Sequence, residues 1–144
     1  MPHHVRAHVA AILAAVALLP ACGQYSSQLL EAGRPAVRRA PESRPHYFHF
    51  QVEAKAYQEI EIVQSGCNLR VSIRDSEGLL RYKRDTPTDD LGRELLCLVT
   101  EPGTYQLELV LAPLGAARRG SYRITRTSRP PGPVELRRAA AFSL

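Results

Sequence analysis

The chain has 144 residues, 19 Lys+Arg against 14 Asp+Glu, and a formal charge of +5. That length holds one ordinary domain and excludes a two-domain enzyme. Hydrophobic residues make up 44% of it, enough for one core, while three Cys and no Trp leave little special chemistry.

The N-terminus stands apart. Residues 1–8 carry Arg6 as their one formal charge, and residues 9–19 (VAAILAAVALL) are uninterrupted apolar. A bilayer-spanning helix needs ~20 apolar residues, so this shorter run behind a basic start reads as a helical secretory signal peptide over 1–21. It ends in Leu19-Pro20-Ala21-Cys22-Gly23, which resembles the bacterial lipobox. The resemblance implies that Cys22 carries lipid and becomes the first mature residue. Several acyl chains would hold the protein stably on the membrane. Gly23 in place of Asp implies the outer membrane, facing the periplasm. The alternatives are an ordinary cleaved signal with a chance Cys, and a retained anchor.

Residues 22–45 read as a lipidated N-terminus, tether and entry segment, because Gly33, Pro35, Pro41 and Pro45 resist regular structure. They hold the basic cluster Arg34, Arg38 and Arg39, and Leu29-Leu30 and Val37 allow a first short strand within 29–39. From His46 apolar residues recur every second position. His46, Phe48, Phe50 and Val52 share a face, then Ile60 and Ile62, then Cys67, Leu69, Val71 and Ile73. This is the pattern of half-buried antiparallel strands. Asp75-Ser76-Glu77-Gly78 predicts a tight turn and a strand returning over 79–84.

Residues 84–92 (RDTPTDDLG) predict a polar loop. Leu95, Cys97 and Val99 then alternate as an inward face, although Leu96 and Leu98 make this strand apolar on both sides. Tyr105, Leu107, Leu109 and Leu111 form the next face, and Tyr122-Arg123-Ile124-Thr125 begins the last strand. No Pro falls inside these runs, as expected of strands that need their ladder N–H groups. The predicted fold is all-β: an antiparallel, jelly-roll-like β-sandwich of about seven to eight strands over residues 46–128. A Pro/Arg-rich tail over 129–144 holds a possible short helix from Glu135 to Leu144.

The order of these pieces resembles the bacterial pre-peptidase C-terminal type of β-sandwich. It is most similar to the variant that precedes tetratricopeptide repeats and a caspase-like CHAT domain. The resemblance rests on His46 and Phe48, Val63-Gln64-Ser65-Gly66, and Ile73-Arg74-Asp75 with Gly78. It continues through Glu94-Leu95, Pro102-Gly103-Thr104-Tyr105-Gln106-Leu107 and Gly120-Ser121-Tyr122, over roughly residues 29–127. Lys55 and Asn68 depart from the family's usual Gly and Asp. The resemblance implies an extracytoplasmic accessory module without catalysis of its own. The chain stops at Leu144, where such relatives enter helical repeats.

Cys67 and Cys97 both fall on inferred inward faces. With Cys22 lipidated they are an even pair in an oxidising compartment, so a disulfide is one reading and two buried thiols the other. A bridge would add about 2–4 kcal/mol. Neither has a motif linking it to His46 or His49, so no catalytic thiol is expected. His46 and His49 lie three apart on a strand, on opposite faces, and share no metal. Asp75, Asp85, Asp89 and Asp90 match no calcium-loop spacing and read as a solvated acidic loop. Arg118, Arg119, Arg123 and Arg126 form a candidate basic docking surface for an anionic surface or a protein partner. Nucleic acid is not expected, since the chain is exported and this segment lacks interleaved aromatics beyond Tyr122. The sequence shows no phosphate loop, Ser/His/Asp set or paired carboxylates, and no cofactor or metal is expected. The first reading is a membrane-anchored, non-catalytic binding or accessory module. The alternatives are a truncated structural module of a larger repeat-plus-CHAT protein and a carbohydrate-binding module.

Overall fold

The computed structural model describes residues 26–41, 44–84, 91–112 and 120–142. The expected signal peptide, Cys22, Arg118, Arg119, Asp85, Asp89 and Asp90 lie outside the described residues. The strands are β1 (Ser27–Leu29), β2 (Ala36–Arg39), β3 (His46–Val52), β4 (Ala56–Ser65), β5 (Leu69–Asp75), β6 (Leu80–Arg84), β7 (Leu91–Thr100), β8 (Gly103–Leu111) and β9 (Ser121–Arg129). One helix, α1 (Pro133–Phe142), follows them.

Two sheets face each other, one in the order β1-β3-β8-β5-β6 and the other β2-β9-β4-β7. The fold is an all-β sandwich, as the alternation predicts. Almost every connection changes sheets; only β5 and β6 follow each other within one sheet as a hairpin. Asp75 builds that hairpin turn, its carboxylate accepting from the Glu77 and Leu79 backbone N–H groups at 3.0 and 2.9 Å. One pair departs from the antiparallel expectation: β1 runs parallel to β3.

The core lies between the sheets. Phe48, Phe50, Leu69, Val71, Ile73, Leu107 and Leu109 come from one sheet, and Ile60, Ile62, Leu96, Tyr122 and Ile124 from the other; all are fully buried. The segment expected as a tether contributes β1 and β2, which pair with β3 and β9 as the edges of their sheets.

In β7 the expected facing is inverted. Leu96 pairs with Ile60 and shares its inward face, whereas Cys97 pairs with Glu59 and faces out. An apolar outer face is tolerated there because α1 covers it. Ala139 packs on Tyr57 and Cys97, with Leu95 and Val99 beside them. Pro133 opens the helix, where its fixed φ and missing N–H do no harm. Ion pairs of 3.4 Å, Arg129 with Glu135 and Arg138 with Glu59, flank the contact.

One close approach fixes an end of the sandwich. A Cβ on Gly120 would run into the Ser65 carbonyl and the Gly66 backbone, so glycine alone fits there. Gly66 itself turns with φ +67°.

Candidate functional site

The starts of β1, β3 and β9 and the end of β2 meet at one end of the sandwich. The β1 and β2 edges belong to different sheets, and a cleft of about 620 Å³ opens there. Ser27, Gln28, Arg38, Arg44, His46 and Tyr122 supply its polar lining, and Pro45, Tyr47 and Phe48 its apolar wall. Among the described residues no carboxylate lines it.

Strand register explains why these groups converge. Arg38 is the cross-strand partner of Tyr122, so both share the inner face at the sheet edge. Phe48 meets the Tyr122 ring edge-on at 6.5 Å, and His46 tilts against it at 5.9 Å. His46 Nδ1 and the Tyr122 hydroxyl are 2.8 Å apart. Arg38 spans the gap between sheets, donating to the Val37 carbonyl at 2.9 Å and to the Gln28 side-chain oxygen on β1.

Burial, and then the nearby Arg38 guanidinium, pull the His46 imidazole below its ordinary value, so neutral pH leaves it uncharged. Burial pushes the Tyr122 hydroxyl far up, so it remains a neutral hydroxyl. The result is a site with guanidinium and hydroxyl groups and, among the described lining residues, no carboxylate, chemistry suited to a carboxylate or phosphate. A serine–histidine contact also occurs, Ser27 Oγ to His49 Nδ1 at 3.0 Å. It lies on an exposed edge, and among the described residues no acid contacts the ring, so it pins β1 to β3 without the orienting third group of a nucleophile.

The expected site residues are dispersed. Cys67 sits in the main core with its Sγ 3.4 Å from the Ser121 carbonyl, while Cys97 lies on the other side of the β4–β7 sheet beneath α1. Both are buried thiols, not half-cystines, because the sheet itself separates them. Burial, and then a hydrogen bond with the Cys97 thiol, push the Tyr57 hydroxyl up. Of the two readings of Cys67 and Cys97, the structure holds the buried thiols and not the disulfide.

The basic docking surface loses one member, Arg126, while Arg118 and Arg119 lie outside the described residues. Arg123 and Arg126 are three residues apart on β9 and point to opposite faces. Arg123 is exposed, but Arg126 is buried between the sheets. Its Nε donates to the Leu30 carbonyl and its Nη1 to Gln58 Oε1, both at 3.0 Å. Arg38, Arg44 and Tyr122 were not grouped by sequence reasoning. The usable signal was the basic cluster at Arg38 and Arg39, which becomes a site only through the pairing of β2 with β9.

No known family model matches the chain, and no curated protein does. Among solved structures it is similar to the pre-peptidase C-terminal domain of a collagenase from Bacillus anthracis. The identity is 10% and the TM-score 0.55, over 70% of this chain and 94% of that one. It is also similar to PliG from Salmonella Typhimurium, a periplasmic inhibitor of g-type lysozyme. That match has 11% identity and a TM-score of 0.45, over 72% of this chain and 97% of the other. PliG from Aeromonas hydrophila gives 9% identity and a TM-score of 0.46, over 72% and 100% of the chains. What the chain shares with the collagenase domain is the β-sandwich fold.

Proposed function

We propose that this chain is a non-catalytic, extracytoplasmic binding module, held on the cell envelope by lipid on Cys22, that presents the Arg38–Arg44 cleft to an anionic ligand. The observation that carries this reading is the cleft itself: guanidinium and hydroxyl donors gathered at an open sheet edge, with no carboxylate among the described lining residues. The export signal over 1–21 and the lipobox-like Leu19–Cys22 support the location, and Gly23 supports the outer membrane. The sandwich fold shared with an accessory domain supports a role without catalysis. Fold alone does not set function, so the site carries the argument.

The test is detergent-phase partitioning of the full chain expressed with its signal in a bacterial host. Wild type is expected in the detergent phase and Cys22→Ala in the aqueous phase. Wild type in the aqueous phase would remove the anchor.

A further inference from the structure

We infer that the cleft receives the phosphate of an anionic phospholipid headgroup, seating this end of the sandwich on the membrane; the inference rests on the anchor reading above. Ser26 lines the cleft and stands four residues after Cys22. Four residues reach no more than about 14 Å even when fully extended. A lipidated Cys22 lies at the membrane surface, so the cleft end cannot stand far from the headgroups.

Strand polarity adds charge at the same end. β2 runs toward it and finishes with Arg38 and Arg39, and Arg44 immediately precedes β3. All three arginines are exposed. Of the acids on strands nearby, Glu94 pairs with Arg84 at 3.3 Å and Glu61 pairs with Arg93, while Glu108 keeps its charge and accepts from Tyr47 and Ser72 at 3.1 Å each, one carboxylate against the three arginines. The described cleft end therefore presents positive charge toward the lipid.

The donor set matches the ligand. A guanidinium fork meets two phosphate oxygens at once, and the Ser27 hydroxyl stands within the same cleft. Pro45, Tyr47 and Phe48 offer an apolar wall to the glycerol end of the headgroup. A carboxylate on a protein partner would satisfy the same donors. The short reach from Cys22 favours the membrane, because it leaves little room for a partner between the cleft and the bilayer.

The experiment uses the full chain carrying Cys22→Ala, so that acylation contributes nothing. It measures co-sedimentation with vesicles of phosphatidylglycerol and phosphatidylethanolamine, and with phosphatidylcholine alone. The Arg38→Gln/Arg44→Gln pair should weaken binding to the anionic vesicles about 30-fold, from the usual contribution of two basic residues at such a surface. Arg34→Gln/Arg74→Gln removes the same charge at the far end and should change it less than threefold. Arg44→Gln alone should lose about fivefold; Arg44 makes no hydrogen bond or ion pair among the described residues, so its loss leaves the fold intact. Equal losses from both pairs, or from neither, would overturn the proposal. So would binding of glycerol phosphate in calorimetry without vesicle binding, which would mark a soluble anion as the ligand. Failure of the anchor would appear separately, in the partitioning of wild type.

Discussion

The guanidinium carbon of Arg126 lies 4.8 Å from the centroid of the Phe50 ring, inside the core. A charge there survives because its Nε and one Nη1 donor find acceptors and the ring face is electron-rich. Gln58 extends the network, donating to Thr100 Oγ1 at 3.2 Å and Ser128 Oγ at 3.0 Å, and Thr100 in turn donates to the Ala56 carbonyl. Through the Leu30 carbonyl, Arg126 also ties the segment between β1 and β2 to β9. That segment positions the edges that form the cleft.

Arg126→Met keeps most of the volume but leaves the Leu30 carbonyl and Gln58 Oε1 buried without their donor. We expect a loss of about 2–4 kcal/mol, because orphaned acceptors cost more than the bond itself contributes. Arg126→Lys should recover part of it, since one ammonium cannot reproduce the fork. Urea unfolding of the three proteins measures this. An Arg126→Met midpoint equal to that of wild type would mean that the network does not hold the edge.

How far the fold was legible depends on where a strand's second face goes. β3, β5 and β8 were readable because one face is apolar and the other solvated. β7 was readable as a strand but not in phase, since Leu95, Cys97 and Val99 are as apolar as Leu96 and Leu98. The deciding contact, Ala139 of α1, lies far along the chain. Arg126 was legible in principle, as the third member of the alternation Tyr122, Ile124, Arg126, but a cluster of arginines suggested surface instead. The cleft was not legible. Arg38 and Tyr122 become neighbours only through pairing of β2 with β9, and no local pattern encodes strand order.

The two thiols should behave differently when α1 is disturbed. In the Cys22→Ala background, intact mass should not change on reduction, and neither thiol should alkylate quickly in the folded protein. Ala139→Asp places a charge against Tyr57 and Cys97 and should lift α1 from the sheet. Cys97 should then alkylate at least tenfold faster, an order-of-magnitude expectation for local opening, while Cys67 stays protected between the sheets. A gain of two hydrogens on reduction would instead restore the bridge, and equal labelling of both thiols would mean that the helix is not the cover.

His46 should make stability depend on pH in one direction. Its folded value lies below the ordinary 6.5 because of burial and then Arg38, so between the two values the unfolded chain binds more protons. Stability is therefore fully present above about pH 6.5 and declines as pH falls through the lower folded value. Arg38 on β2 and Tyr122 on β9 face the ring and Arg44 lines the same cleft, and among these described residues none offers a negative charge to oppose the trend. Thermal midpoints between pH 8 and 5 should fall in wild type and fall less in His46→Gln. Proton resonances of the ring should titrate below 6.5 in the free protein and move upward when glycerol phosphate fills the cleft, because an adjacent anion favours the imidazolium. A ring that titrates above 6.5 without ligand would contradict the neutral His46–Tyr122 contact. One that ignores the anion would place phosphate elsewhere on the surface.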